Sequence, residues 1–262
     1  MIDFHNHVLP NVDDGPKIIE ESLLMLRHAS YQGITDIVQT VHFQHPKMNK
    51  KNVDYNYLNA KVRELQLEID KENLGITIHL SAEVFYLPNL IEISNNPLVT
   101  IGNGKYMLVE FSSNIFPIGY EEEFFKLQME GITPIIAHPE RYRFIKNDLN
   151  VLKKWIDRGY VIQMDAGSIL GQFGQEIKKI ASKMINNGLV HLIGSDSHNS
   201  KKRNFCIKDA YDSLESKVLI ELLKANAKRI LEGQKIQNYD NKKTNNFIDK
   251  VYHKIRNLID KT

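Results

Sequence analysis

Short apolar runs alternate with helical patterns from one end of the chain to the other, and this alternation is the feature that most constrains the fold. Seven runs are typical of β-strands, at residues 1–7, 34–42, 76–84, 106–109, 132–137, 161–164 and 189–193. Helical patterns fill the intervals, at residues 18–31, 53–72, 121–130, 149–158, 176–187 and 206–232. Strands that alternate with helices in this way predict a parallel α/β sheet.

The ends of the predicted strands favour a barrel over an open sheet. Polar side chains recur where the apolar runs end, and a (β/α) barrel collects its active site at the C-terminal ends of its strands. No Gly-x-Gly-x-x-Gly or Gly-Lys-Ser/Thr sequence follows the first strand, so a dinucleotide or nucleoside-triphosphate site is not expected. The sequence therefore predicts a seven-stranded (β/α) barrel.

Composition and charge limit which cellular compartment and which classes of partner are expected. The 262 residues are 42% hydrophobic and carry a formal net charge of +2, so charge indicates no nucleic-acid partner. The sequence has no signal-peptide pattern, and no apolar run is long enough to span a bilayer. The single cysteine, Cys206, excludes an internal disulfide and fits a reducing compartment. We expect a cytoplasmic protein that meets a membrane only through a partner.

Histidine and carboxylate side chains end every predicted strand. His5 and His7 lie two residues apart, so an extended chain presents both imidazoles on one face. The strand ends and the loops after them also bring Asp13, Asp14, His42, His45, Glu83, Glu110, His138, Asp165, Asp196 and His198. Histidine and carboxylate ligands without cysteine suit zinc, manganese or iron, and the set is too large for one ion. We predict two or three ions that share bridging carboxylates, an arrangement that can clamp the oxygens of a phosphate.

Each of these residues alone has a structural alternative. Asp14 before Gly15 suits a turn, Glu110 could cap a helix, and His42 could be a core histidine. A carboxylate or imidazole at every strand end is hard to obtain by chance. The recurrence, more than any single residue, favours the metal site.

The order of these motifs resembles the PHP (polymerase and histidinol phosphatase) superfamily. The motifs are His5-x-His7, Asp13-Asp14-Gly15, His42, Glu83, Glu110, His138-Pro139-Glu140-Arg141 and Ser195-Asp196-x-His198-Asn199. The Asp-Asp-Gly and His-Pro-Glu-Arg elements resemble the branch of capsule-type bacterial protein-tyrosine phosphatases. The resemblance covers residues 1 to about 232. It implies a distorted seven-stranded (β/α) TIM-like barrel over residues 1–233, with three divalent metal ions (Mn, Fe or Zn).

The resemblance also implies nine metal ligands and two arginines that contact phosphate. The first ion would be held by His5, His7, Glu83 and Asp196. The second would share Glu83 and add Glu110 and His138, and the third would take Asp14, His42 and His198. The arginines of the resemblance are Arg141 and Arg203.

The activity implied is hydrolysis of phosphotyrosine on a bacterial tyrosine kinase of capsular or exopolysaccharide assembly. A hydroxide that bridges the first two ions would attack phosphorus, and the arginines would offset charge on the phosphate oxygens. Cysteine-dependent tyrosine phosphatases use Cys-x-x-x-x-x-Arg, but the residue six after Cys206 is Asp212, which excludes that mechanism.

Three alternatives stay open from the sequence. A PHP enzyme could act on a small substrate such as histidinol phosphate. An amidohydrolase also opens with His-x-His, although Glu83 and Glu110 fit that class poorly. The chain could instead be a non-catalytic regulator of polysaccharide assembly, although such a protein has no need of costly clustered charges.

The segment after Gly233 differs from the barrel in composition. Residues 234–246 are polar and suit a linker, and Phe247, Val251, Ile255 and Leu258 then recur at helical spacing. This pattern predicts a polar linker and a C-terminal amphipathic helix over residues 234–262, which would pack on the barrel or on a partner subunit. A basic helix that lies on a membrane surface is the alternative.

Overall fold

Seven parallel strands form the centre of the molecule, and neighbours in the sheet are neighbours in the sequence. The structure is a computed structural model that describes residues 1–48 and 54–239. The strands are β1 (Ile2–Asn6), β2 (Asp36–Phe43), β3 (Thr77–Phe85), β4 (Tyr106–Glu110), β5 (Thr133–Ile136), β6 (Val161–Asp165) and β7 (Leu192–Gly194). Each pair from β1–β2 to β6–β7 is parallel, as crossover connections through helices require.

Backbone hydrogen bonds between the first strand and the residues after the last one close the sheet into a barrel. The N–H of Asp196 donates to the carbonyl oxygen of His5 at 2.7 Å, and the N–H of His7 donates to that of Ser197 at 2.8 Å. The register of β1 against β2 shifts between Asp3 and Asn6, so the barrel is distorted where it closes. The predicted distorted seven-stranded barrel is confirmed.

Helices occupy the connections between the strands. They are α1 (Ile19–Tyr31), α2 (Tyr55–Lys71), α3 (Leu90–Ile93), α4 (Tyr120–Met129), α5 (Arg143–Asn147), α6 (Asn150–Asp157), α7 (Ala166–Leu170), α8 (Gln175–Asn186), α9 (Ile207–Asp212) and α10 (Lys217–Leu231). Short 3₁₀ turns lie at Pro97–Val99 and Pro139–Arg141. The predicted helical patterns correspond to α1, α2, α4, α6, α8 and the pair α9–α10, whereas α3, α5 and α7 are too short to give a periodic pattern.

Local sequence signals set where the longer helices begin and end. Asp54 caps α2, because its carboxylate accepts the backbone N–H of Tyr57 at 2.7 Å. Soon after α1 and α4 end, Gly33 and Gly131 both adopt φ of 77°, a left-handed conformation that favours glycine. These turns let the chain enter the next strand after a short connection.

Two buried apolar clusters hold the barrel together. The larger one lies between the strands and the helices, and includes Leu26, Leu65, Phe124, Trp155 and Met184. The other fills the barrel and includes Phe4, Val38, Tyr106, Leu108, Ile135, Val161 and Leu192. Ala227 and Ile230 of α10 join this second cluster beside Tyr106, the first residue of β4. The N-terminal end of the barrel is therefore closed by α10, and the opposite end is free to form a site.

The last described residues lie against α10. The side-chain amide of Asn226 donates to the carbonyl oxygen of Gln237 at 2.8 Å and accepts the N–H of Gln237 at 2.9 Å. The predicted C-terminal helix, with Phe247 and Val251, falls outside the described residues, so the division of the chain at residue 233 stays a prediction. Across residues 1–48 and 54–239, no helix has both the length and the apolar character needed to cross a membrane.

Candidate metal centre

The C-terminal ends of the strands surround a cleft of about 390 Å³. The cleft is lined by seven of the nine predicted ligands and by both predicted arginines: Asp14, His42, Glu83, Glu110, His138, Asp196, His198, Arg141 and Arg203. The other two ligands, His5 and His7, are fully buried and reach the same carboxylates. The folded chain thus brings all the predicted site residues together.

Two features of the backbone deliver these side chains. In-register pairing of β2 with β3 puts His42 directly beside Glu83. The loop that carries Asp14 lies so close to β1 that a Cβ on Gly15 would be 2.0 Å from the carbonyl oxygen of His7. Glycine at position 15 therefore permits the contact that turns Asp14 toward the cleft.

Glu83 lies at the centre of the cluster. Its Oε2 atom is 3.3 Å from Nε2 of His5 and 3.5 Å from Nε2 of His7. Its Oε1 atom is 2.8 Å from Nε2 of His138. A carboxylate with imidazoles near both oxygens would be able to hold more than one ion, as predicted for Glu83 from the sequence.

The donor atoms fall into four overlapping groups whose members all lie within 4.8 Å of one another. The groups are His7, Asp14, His42 and His198; His5, His7 and Asp196; His5, Glu83 and His138; and His42, Glu83 and Glu110. Asp14 joins its group through Oδ1, which is 3.3 Å from Nε2 of His42 and 3.2 Å from Nε2 of His198. Glu83 and Asp14 sit in separate groups, an arrangement compatible with more than one ion. The assignment of ligands to individual ions remains a prediction.

Neighbouring residues fix the orientation of the histidines. Nδ1–H of His7 donates to Oδ2 of Asp13 at 2.8 Å, and Nδ1–H of His5 to Oε1 of Gln163 at 3.2 Å. Nδ1–H of His198 donates to the carbonyl oxygen of Asp196 at 2.8 Å. Each bond leaves Nε2 as the free lone pair and turns it toward the cluster, as metal-ligating histidines require. The sequence had brought Asp13 to the cleft only as a neighbour of Asp14, and it gave no role to Gln163.

Burial and crowding shift the ionisation of the acids and bases in opposite directions. Burial, and then the negative charge of Glu83, raise the pKa of Glu110 to about 8. Burial, and then the Arg141 guanidinium, lower the pKa of His138 to about 4. Burial also acts to raise the pKa of Glu83, but His5 and His138 beside it bring that pKa well below its ordinary value. His138 and Glu83 are thus held in the neutral and ionised states that bind a metal, whereas Glu110 must release a proton when a metal binds.

The donor set fits divalent cations. Nε2 of His5 and Nε2 of His7 lie 3.4 Å apart, although two lone pairs directed at each other gain nothing without a proton or a cation between them. Oε2 of Glu110 is buried and accepts no hydrogen bond from any described residue. Its nearest partner is Nε2 of His45 at 3.8 Å, beyond hydrogen-bond distance, and a buried carboxylate oxygen without a hydrogen bond is costly unless a cation satisfies it.

The two predicted arginines meet on one carboxylate oxygen. Nη1 of Arg141 and Nη2 of Arg203 each donate to Oδ2 of Asp196 at 2.6 Å. The other oxygen, Oδ1, lies 3.5 Å from Nε2 of both His5 and His7. Asp196 therefore joins the histidine cluster to the arginine pair.

Further residues that the sequence did not assign support the arginines. Asp165 lies with Oδ2 3.4 Å from Nη1 of Arg141. The ring of Phe173 lies over both guanidinium carbons, at 4.8 Å for Arg141 and 5.9 Å for Arg203. The sequence could indicate Asp165 as a site residue, because it ends a predicted strand. It gave no such indication for Phe173, which lies in the loop between α7 and α8.

Two residues of the centre hold uncommon backbone conformations. His138 has φ of 31° and Asp196 has φ of 49°, although neither is glycine. Such conformations cost free energy and persist where surrounding contacts enforce them, often at functional sites. Here the backbone bond from Asp196 to His5 supplies one such contact.

Comparison with known proteins gives consistent matches along most of the chain. The family model for capsular polysaccharide synthesis, CpsB/CapC, matches residues 1–232. CapC of Staphylococcus aureus is 36% identical over 253 residues, which cover 93% of this chain and 98% of that protein. YwqE of Bacillus subtilis, a tyrosine-protein phosphatase, is 34% identical over 244 residues, which cover 90% of this chain and 93% of that protein.

The similarity to these proteins includes the fold, as comparison with a solved structure shows. It comes from work on YwqE of Bacillus subtilis and CpsB of Streptococcus pneumoniae, described as unique metal-dependent tyrosine phosphatases. It superposes with a TM-score of 0.84 at 30% identity and covers 91% of this chain and 97% of that one. The resemblance inferred from the motifs is confirmed.

Proposed function

The chain belongs to the CpsB/CapC family of capsular polysaccharide synthesis, and we propose that it is a metal-dependent protein-tyrosine phosphatase. The observation that carries this proposal is the position of Asp196. One of its oxygens faces the imidazoles of His5 and His7, and the other binds both arginines. A phosphate in the cleft would thus meet metal ligands and guanidiniums together, which suits phosphomonoester hydrolysis.

Two sets of residues have different roles in the proposed reaction: one would bind the metal ions and the other would contact the phosphate. When bound, the metal ions would supply a Lewis acid and an acidified water for attack on phosphorus. The nine residues that would hold them are His5, His7, Asp14, His42, Glu83, Glu110, His138, Asp196 and His198. Arg141 and Arg203 keep further N–H donors beyond those given to Asp196, and planar guanidinium suits the oxygens of a phosphate. Tyrosine, whose pKa is about 10, leaves as a phenolate with less need of a proton than an alkoxide has.

The lone cysteine is not needed for this chemistry. Cys206 is buried, and burial raises the pKa of its thiol, so the nucleophilic thiolate is disfavoured. No arginine lies six residues beyond it, because that position is Asp212. The proposal therefore assigns the attack to water.

We further propose three metal ions, a phosphotyrosine-protein substrate and a cytoplasmic location. The ions number three and are manganese, iron or zinc, because the ligands are imidazole and carboxylate without thiolate. The substrate is a phosphotyrosine protein, a bacterial tyrosine kinase of capsular or exopolysaccharide assembly. The location is cytoplasmic, which agrees with a free, buried Cys206.

The test is a substrate comparison with metal-loaded protein. We expect hydrolysis of phosphotyrosine peptides to exceed that of matched phosphoserine peptides and of histidinol phosphate. Chelation should abolish the activity, and Mn²⁺ should restore it. Phosphate release should be measured for all three substrates at equal concentration.

The other outcomes identify the rival functions. Preference for histidinol phosphate would replace a protein substrate with a small one. Metal binding without hydrolysis of any phosphomonoester would favour a non-catalytic regulator. Full activity in protein verified to be free of metal would exclude the metal-dependent mechanism.

A further inference from the structure

A single aromatic ring lies against both arginines of the cleft, outside the set of residues that line it. The ring centroid of Phe173 is 4.8 Å from Cζ of Arg141 and 5.9 Å from Cζ of Arg203. Both distances are within the range in which a cation interacts with the face of an aromatic ring. Phe173 is half-buried and does not line the cleft itself, so it contacts the arginines without reaching into the space for a phosphate.

The ring is held closely by the chain beneath it. A Cβ on Gly167 would lie 3.0 Å from Cε2 of Phe173, so the ring rests directly on the backbone of α7. The same helix is capped by Asp165, whose Oδ1 accepts the N–H of Gly167 at 2.7 Å and whose Oδ2 faces Arg141. Asp165 at the start of α7 and Phe173 in the loop after it therefore both lie against Arg141.

The arginine pair needs such support. Both guanidiniums bind the same oxygen of Asp196, so two positive charges lie close together on one acceptor. The Nε–H of Arg203 is also buried without a hydrogen-bond partner among the described residues. A site with two crowded cations and an unpaired donor suits a dianion, but only if the side chains stay in place before the anion arrives.

We propose that Phe173 is a positioning residue that holds Arg141 and Arg203 in the geometry that binds the phosphate group of the substrate. The expected effect of Phe173 on turnover rests on the proposed phosphatase function. Its effect on the affinity of the arginine pair for an oxyanion does not depend on that function and can be measured separately. The ring stabilises both guanidiniums through its π face and shields them from water on the side away from the cleft.

The test measures affinity for inorganic phosphate in Mn²⁺-loaded protein by calorimetry, together with KM and kcat on a phosphotyrosine peptide. We expect Phe173→Leu, which keeps apolar volume but removes the π face, to weaken phosphate binding by about 2- to 30-fold. KM should rise by a similar factor with little loss of metal. Phe173→Tyr should keep wild-type affinity, because the ring is retained. Phe125→Leu is the matched control, since Phe125 is an exposed aromatic residue on α4.

A double-mutant cycle distinguishes positioning from general packing. In an Arg141→Ala background, the loss caused by Phe173→Leu should become smaller, because one of the two contacts no longer exists. Wild-type phosphate affinity in Phe173→Leu would overturn the inference. Additive losses in the cycle, or loss of metal from Phe173→Leu alone, would overturn it as well. If wild-type protein binds phosphate but hydrolyses no phosphotyrosine, the proposed function fails while the role of Phe173 can still be decided.

Discussion

At the scale of single residues, Asp196 connects more parts of the site than any other residue described above. Its Oδ1 faces two imidazoles, its Oδ2 receives two guanidiniums, and its backbone N–H closes the barrel onto His5. The carboxylate is almost fully buried, and nearby cations hold its pKa well below the ordinary value against the effect of burial. Loss of this one charge should therefore disturb both metal binding and phosphate binding.

We expect Asp196→Asn to lower metal content and the rate of phosphotyrosine hydrolysis, the latter by at least about 100-fold. The reason is that even residues outside the ligand set cost about 10- to 100-fold when they are removed from metal sites. Elemental analysis and initial rates measure the two effects. Asp36→Asn is the control, because Asp36 is a partly exposed carboxylate that accepts from His79 at 3.0 Å, at the opposite end of β2. Unchanged metal content in Asp196→Asn would remove this residue from the centre.

The role of Arg141 can be tested with a substitution that keeps a positive charge beside the buried carboxyl group of Asp165. Burial and the charge of Asp196 raise the pKa of Asp165 well above its ordinary value, and the Arg141 guanidinium opposes that rise. Arg141→Lys retains a positive charge near Asp165 but lacks the planar fork of donors. A charge-assisted hydrogen bond contributes roughly 1.5–3 kcal/mol, which corresponds to about 10- to 150-fold in rate.

We therefore expect Arg141→Lys to keep its metal and its fold while kcat/KM on phosphotyrosine peptide falls by about 10-fold or more. Arg141→Ala should lose more, and should also melt at a lower temperature. Arg158→Lys serves as the control, because Arg158 is an exposed arginine that pairs with Glu121 on the surface. Wild-type kinetics in both Arg141 variants would leave phosphate recognition to the metals alone.

The residues that the sequence identified and those that it missed differ in a physical way. His5, Glu83 and Asp196 could be found because each follows an apolar run, where a parallel strand ends. Gln163 and Phe173 could not be found, because their roles depend on contacts across the barrel or between loops. Gln163 interacts with His5, which lies 158 positions away. No local pattern encodes such a distance.

At the scale of elements, the approach of β7 to β1 sets the shape of the centre. Gly194 ends β7, and a Cβ at that position would lie 2.5 Å from Cβ of His5. The alternation of strands and helices predicted seven strands in the right order, because each run of apolar residues is local. It did not predict that β7 would begin at Leu192, or that closure would use Asp196 and Ser197 beyond the strand. Those details depend on contacts between the two ends of the sheet.

We expect Gly194→Ala to destabilise the protein by about 1–3 kcal/mol and to weaken metal binding, because the new methyl group would push β1 and His5 aside. Gly75→Ala is the control. Gly75 has φ of 66° and open space around it, so alanine there should cost about 1–2 kcal/mol through backbone strain alone. Thermal melting and metal titration separate the two effects. Equal metal affinity in the two variants would show that close packing of β7 on β1 is not needed for the centre.

At the scale of the whole molecule, the centre joins residues from nearly the entire barrel. Its predicted ligands extend from His5 on β1 to His198 beyond β7, whereas α10 closes the opposite end. Four of the nine ligands are carboxylates within a largely buried space, and the two arginines of the cleft offset only part of that charge. Without metal ions, the imidazoles can only pair with these carboxylates, as His42 does with Asp14 and Glu83, and no metal–ligand bonds join the ends of the strands.

Metal binding should therefore stabilise the folded protein as a whole. A ligand that binds only the native state at 100 times its Kd adds about 2.7 kcal/mol, which for a domain of this size raises Tm by about 5–10 °C. Protein stripped by chelation should show this rise when Mn²⁺ is added. Mg²⁺ at the same concentration should give a smaller rise, because it prefers oxygen ligands to imidazole.

The variant that tests this coupling is Glu83→Gln, which removes the carboxylate at the centre of the cluster. It keeps nearly the same side-chain volume, so its metal-free form should remain folded, but its Tm should lie below that of metal-free wild type because the carboxylate that pairs with His5, His42 and His138 is lost. Its rise in Tm with Mn²⁺ should be much smaller than that of wild type, because the carboxylate predicted to be shared by two ions is lost. Asp36→Asn should retain the full rise. If Glu83→Gln gains as much as wild type, the stabilising ions bind elsewhere and the centre does not hold the barrel together.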